Sequence, residues 1–167
     1  SGCIMNLDNL SAYTHMKTLG LPEKISFRIN PGFGAGKFPG IICAGKETKF
    51  GMTEDEAEEA YHLAKESGIR HMGMHMMTGS CILDETYFEE IACALQETAG
   101  KIGRKLGINF EFLDIGGGFG VPYEPHEKPL NMQNVAARIR KAYTSHATLM
   151  MEPGRFFVAE AGTLLTK

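Results

Sequence analysis

No apolar run in this 167-residue sequence approaches the roughly 20 residues that cross a bilayer, so a spanning helix is excluded. No charged-then-apolar leader opens it. It begins at Ser1-Gly2 without an initiator Met, as a trimmed or cloned boundary would. Positive charge is not in excess: Lys plus Arg number 17 and Asp plus Glu 20, for a formal net charge of -3. A strongly basic nucleic-acid binder is therefore not expected. Neither nucleic acid nor a membrane is an expected partner. Cysteine is sparse. Cys3, Cys43, Cys81 and Cys93 form no CxxC, and they read as free or buried thiols of a reducing cytosol. A cytoplasmic location follows as an expectation. The six histidines are scattered without an HExxH, so no metal site is expected.

What remains is an ordinary globular composition, 43% apolar and 22% charged, enough for one modest core. The 20 glycines gather in short groups that mark turns and close backbone approaches. Asp8 to Leu19 reads as a helix ending before Gly20, and Lys24 to Ile29 as a strand. Asn30 to Gly51 is a long glycine-rich connection. Thr53 opens a helix with Glu56 three residues on, a capping box, and Gly68 stops it. Arg70 to Met77 reads as a strand. Asp84 caps a long helix to about Leu106, with Gly107 as its stop. Asn109 to Ile115 reads as a strand, Met132 to Tyr143 as a helix, and Thr148 to Met151 as a buried strand. Phe156 to Leu165 reads as a further strand broken near Gly162.

Strands beginning near 25, 70, 110 and 148, with helices between, make a βα repeat of parallel strands. Both a doubly wound sheet and an eight-unit barrel use that repeat. A full barrel needs about 250 residues, so four to five units here are part of one. In either architecture ligands sit at the C-terminal strand ends. The strands end in Asn30-Pro31-Gly32, Thr78-Gly79-Ser80, Gly116-Gly117-Gly118-Phe119-Gly120 and Glu152-Pro153-Gly154-Arg155. Exposed amides, a hydroxyl and a guanidinium on one rim suit a phosphate. A dinucleotide fingerprint at Gly116 fails, because Val121 stands where the third Gly or Ala belongs and the prolines of VPYEPHEKP forbid the following helix. No GxxxxGK[ST] occurs.

The motifs RINPGFGAG (28–36), KFG (49–51), GMHMMTGS (73–80), LDIGGGFGVPY (113–123) and EPGRFFVAEAG (152–162) stand in order at compatible spacing. Together they resemble the fold-type III decarboxylases that use pyridoxal 5'-phosphate (PLP), most closely their diaminopimelate type. The resemblance runs from 24 to 167. It implies an α/β fold, part of a TIM-type (β/α)8 barrel, with residues 1–167 forming part of the PLP-binding domain. A β domain would follow, and the whole enzyme would be a homodimer acting on a small amino-acid substrate. It also implies that Ser80 and Gly118 hold the cofactor phosphate with Gly154 and Arg155, Arg155 being available to a substrate carboxylate as well, and that Gly117 belongs to the cofactor site. Glu152 would face the pyridine nitrogen and keep the ring an electron sink.

Two departures stand against that pattern. The family's Schiff-base lysine lies in a YAxKAN motif, which none of the eleven lysines here matches, so it is expected upstream and no catalytic residue is nominated. The family usually reads GxHxHIGS, its second His stacked on the ring; here that position is Met77, with His75 two residues before it. Parity puts His75 and Met77 on one face, about 6.5 Å apart. A thioether can lie against an aromatic ring. His75 and Met77 complete the expected cofactor set. The implied function is decarboxylation of meso-diaminopimelate to L-lysine. The alternatives are another diamino acid, a carboxylated polyamine, or a regulatory relative without catalysis.

Overall fold

The computed structural model describes residues 2–36, 49–163 and 165–166. Most of the 30–51 connection and the thiol of Cys43 lie outside the described residues. The elements run β1 (Ile4–Leu7), α1 (Leu10–Leu19), β2 (Lys24–Ile29), β3 (Ala35–Gly36), α2 (Glu54–Glu66), β4 (His71–Met76), β5 (Gly79–Ser80), α3 (Glu85–Leu106), β6 (Phe110–Asp114), α4 (Met132–Ala142), β7 (Thr148–Met150) and α5 (Gly154–Val158). The five longer strands form one parallel sheet in the order β1-β2-β4-β6-β7. Each strand's neighbour is the next βα unit. A doubly wound sheet reverses its order at a switch point; this one never reverses, as in part of a barrel. β3 and β5 pair as a small parallel sheet beyond the ends of β2 and β4.

Local chemistry explains the helices. Asn9 caps α1 by accepting from the Ala12 amide, so α1 starts two residues later than expected. Thr53 and Glu56 form the capping box of α2. Asp84 caps α3 through the Thr86 amide, and Gly107 ends it at φ 62°, where a side chain is disfavoured.

The sheet has two unlike faces. Ile25, Phe27, Ile29, Met72, Met74 and Met76 are buried in one core with Ala57, Ala60, Tyr61 and Ala64 of α2 and Phe88, Ile91 and Leu95 of α3. An edge-to-face run, Tyr13–Phe27–Tyr61–Phe110, crosses this layer with centroids 4.9–5.8 Å apart. The opposite face carries Asn6, Ser26, Arg28, Gly73, His75, Phe112 and Asp114. Its register pairs Asn6 with Ser26, Ser26 with Gly73, Arg28 with His75, and His75 with Asp114. A Cβ at Gly73 would stand 2.1 Å from the Phe112 ring, so that ring fills the space over the glycine.

Three expectations are corrected. Residues 156–163 are not a strand: Gly154–Val158 form the short helix α5 and a turn follows, while residue 164 of the expected strand lies outside the described residues. A short apolar run carries no helix or strand period of its own. Thr148 to Met151 is not buried. β7 pairs only with β6 among the described residues, and Met151 is 39% exposed. β1 was not expected at all, since three of its four residues are exposed and show no buried alternation.

The β4–β6 register slips between Met72 and Gly73. There the buried Tyr61 hydroxyl donates to the Gly73 carbonyl at 2.6 Å and accepts from the Phe27 amide at 3.4 Å. Burial pushes its ionisation far above the ordinary phenol range. Tyr61→Phe in the intact protein is expected to cost about 1–3 kcal/mol, because it strands a buried carbonyl. Urea unfolding should show a lower midpoint with unchanged slope.

Candidate functional site

On the inner face, His75 is 6% exposed. Its Nδ1 lies 3.2 Å from Asn6 Nδ2, and Asn6 Oδ1 accepts from the Ser26 hydroxyl at 2.6 Å. Its Nε2 has no hydrogen-bond partner and lies 3.7 Å from Glu152 Oε2. Burial, and secondarily the Arg28 charge, lower the imidazole to about 4 against a smaller opposing effect of Asp8. The ring is therefore neutral at pH 7, and the contact with Glu152 is not an ion pair. Burial and then Asp114 push Glu152 up, with Arg28 opposing, although its side chain remains 59% exposed. Asp114 is pushed up by burial, opposed by the Gly116 amide that it accepts at 2.8 Å. One donor atom each of His75, Asp114 and Glu152 falls within a 4.8 Å group.

The glycine turn after β6 sits beside this cluster. Gly116 and Gly118 take φ 70° and 92°, where only glycine is unstrained. A Cβ would meet the Met76 carbonyl oxygen at 2.5 Å from Gly116, the Glu152 carbonyl oxygen at 2.6 Å from Gly117 and the Gly79 carbonyl oxygen at 2.6 Å from Gly118. The bareness of these glycines is thus required by protein backbone. A side chain at 118 would break the turn whatever binds there. The Glu152 amide donates to the Gly116 carbonyl and the Ile82 amide to the Gly118 carbonyl, both at 2.8 Å. The Phe119 ring stacks on Phe88 of α3 at 4.1 Å and anchors the turn to the helix layer.

Met77 faces this turn and not the helices: the Gly117 amide donates to its Sδ at 3.2 Å. Arg28, which also pairs with Asp8 at 3.4 Å, donates to the Met77 carbonyl at 3.3 Å. Ser80 pairs with Gly36, and its amide nitrogen lies 3.6 Å from the Cβ position of Gly118. Its hydroxyl and the Gly118 amide meet no partner among the described residues. Gly154 donates to the Glu152 carbonyl at 2.8 Å, with open space around it. The structure therefore brings His75, Met77, Ser80, Gly117, Gly118, Glu152 and Gly154 to one rim. Arg155 stands one step aside, donating to the Tyr123 hydroxyl at 3.2 Å. Sequence reasoning gave no role to Asn6, Ser26, Arg28 or Asp114. Only for Asp114 was there a signal, a carboxylate closing a buried strand directly before the glycines.

A family model described as "Pyridoxal-dependent decarboxylase, pyridoxal binding domain" matches residues 2–159. The chain belongs to this family. The family's cofactor is PLP. The diaminopimelate decarboxylase of Thermoplasma acidophilum is 40% identical over 166 residues, 98% of this chain and 41% of that protein. That of Methanothermobacter thermautotrophicus is 37% identical, over 100% of this chain and 41% of its own. The crystal structure of the Helicobacter pylori diaminopimelate decarboxylase complexed with L-lysine matches with a TM-score of 0.82 at 34% identity, covering 94% of this chain and 41% of that one. The chain thus spans about two-fifths of the length of these relatives. No helix among the described residues is long and apolar enough to cross a membrane. The donors on the rim fit the family's cofactor. An unpartnered hydroxyl and amide suit a phosphate, and a carboxylate across the glycine turn suits a ring nitrogen.

The buried imidazole makes stability depend on pH. Above the ordinary histidine value of 6.5 it is neutral in both folded and unfolded chains, and no penalty arises. Between 6.5 and about 4 the unfolded chain takes up a proton that the folded one refuses. Stability therefore falls as pH falls through that window, by roughly 3 kcal/mol at most. The raised carboxylates Glu152 and Asp114 act in the opposite sense. Denaturation of the intact protein and of His75→Gln at pH 7 and pH 4.5 should show the variant losing less stability on acidification.

Proposed function

We propose that the intact protein is a PLP-dependent decarboxylase of a diamino acid, with meso-diaminopimelate as substrate and CO2 and L-lysine as products. The observation that carries this reading is likeness along the chain. Relatives named diaminopimelate decarboxylase are 40% and 37% identical over 98% and 100% of it. The crystal structure of one such enzyme from Helicobacter pylori holds L-lysine. PLP, when bound, supplies the conjugated ring that accepts the electron pair left as CO2 departs.

This chain's residues would do the rest of the binding. The Ser80 hydroxyl and Gly118 amide would donate to the phosphate, joined by Arg155, while Gly117 and Gly154, whose amides serve Met77 and the Glu152 carbonyl, would line the site as bare backbone. Glu152 would hold the proton on the ring nitrogen. Met77 would lie against the ring face, its thioether steadied by the Gly117 amide. Arg155, moored to Tyr123, would also reach a substrate carboxylate. The lysine that carries the cofactor and the C-terminal β domain would come from outside these 167 residues, and the working unit would be a homodimer. A second reading, a family relative without catalysis, is favoured only by Met77 at the family's stacking histidine.

The deciding experiment presents the intact protein with a panel of diamino acids and carboxylated polyamines and measures released CO2. Release from meso-diaminopimelate alone supports the proposal. Release from another member changes the substrate, and release from none favours the second reading. The phosphate role is separable. Arg155→Ala is expected to weaken PLP retention about tenfold, the effect of one charge-assisted bond. Equilibrium dialysis with absorbance detection checks it, and undiminished retention would remove Arg155 from the phosphate site.

A further inference from the structure

Glu152 has a use in the proposed function, whereas the buried His75 beneath it has none. The arrangement around His75 determines which of its nitrogens carries the proton. Asn6 Oδ1 lies 2.6 Å from the Ser26 hydroxyl, which can donate or accept, and the Asn6 amide nitrogen lies 3.2 Å from His75 Nδ1. A donor there requires the Nδ1 lone pair. The single proton of the neutral ring is then on Nε2, directed at the Glu152 carboxylate 3.7 Å away. The reversed amide would leave the Nε2 lone pair facing that carboxylate, two acceptors with no hydrogen between them. Nε2 is buried and otherwise without a partner, so its N–H has one acceptor to serve.

We propose that Ser26, Asn6 and His75 form a relay across β1, β2 and β4 that presents a neutral N–H to Glu152, making His75 the positioning residue for that carboxylate. This rests on reading Glu152 as the partner of the cofactor's ring nitrogen. A donor is needed there because burial, and then Asp114 in the same group, disfavour the ionised form of Glu152 against the opposing Arg28 charge. The charged groups around His75 are Glu152, Asp114, Arg28 and Asp8. A protonated imidazole would pair with Glu152 and divert its charge from the ring nitrogen. A neutral one stabilises the carboxylate and leaves that charge in place. Less than 1 Å of side-chain movement brings 3.7 Å to hydrogen-bond length. Metal-bound carboxylates and imidazoles are oriented by outer partners in the same way.

The test has two arms on the full-length protein. Without cofactor, histidine 15N resonances are recorded across pH, with the His75 signals identified by their loss in His75→Gln. The expected result is an Nε2–H tautomer that stays neutral below pH 6, converted to Nδ1–H or to the protonated ring by Asn6→Asp. An Nδ1–H tautomer in the parent would overturn the proposal. With cofactor, His75→Leu and Asn6→Leu should each move the pH midpoint of the cofactor absorbance toward that of Glu152→Gln. Each should lower kcat about tenfold with little change in KM, and His75→Gln, which keeps an N–H, should recover most of the loss. If His75→Leu does not fold, Asn6→Leu carries this arm, since the hydrogen bonds of the Asn6 side chain run to His75 and Ser26. A shift in Glu152→Gln with none in the relay variants overturns this proposal alone. No shift in Glu152→Gln overturns the Glu152 reading and this proposal with it.

Discussion

Backbone lies directly on backbone at residues 116–118, and the arrangement of the rim follows from that contact. Three successive α-carbons sit where any Cβ would strike a carbonyl of Met76, Glu152 or Gly79. The chain after β6 is thereby clamped between the ends of β4 and β7, and the Phe119–Phe88 stack holds the clamp to α3. Met77 and Ser80 follow β4 and Glu152 follows β7, yet their spacing is set by this turn. A dispersed set of donors can bind one small ligand only if such positions are fixed to within a fraction of an ångström.

The two faces of the sheet divide the labour. The helix side is apolar and supplies the stability, with methionines at 72, 74 and 76 filling irregular space against α2 and α3. The inner side is polar and would be costly to bury without internal partners. Asn6, Ser26 and His75 supply partners to one another, and Phe112 closes the space over Gly73. Strand parity decides which side each residue joins, so a one-residue slip would exchange core for site.

Parity also decided what could be read in advance. β2, β4 and β6 were legible because their apolar residues alternate or run continuously between turns. α2 and α3 were legible from Thr53, Glu56, Asp84 and Gly107, which cap by local chemistry. The rim was legible because its glycines, Ser80 and Glu152 fall at strand ends in recognisable motifs. β1 was not, since Ile4, Met5 and Asn6 are all exposed and its pairing partner lies about 20 residues away. TLMM looks buried by its letters, but burial depends on what lies beside a strand. FFVAE had to be helical or extended, and its composition favours neither. Asn6 meets His75 across 69 positions, a relation that only register creates.

The inner face also has a direction. Asp8 pairs with the Arg28 guanidinium at 3.4 Å, Asp114 and Glu152 gather beside His75, and the Ser80 hydroxyl and Gly118 amide meet no partner among the described residues. Carboxylates therefore stand at 114 and 152, and hydrogen-bond donors at 80 and 118. A small molecule with an anionic end and an electron-poor aromatic end would meet complementary groups in only one orientation.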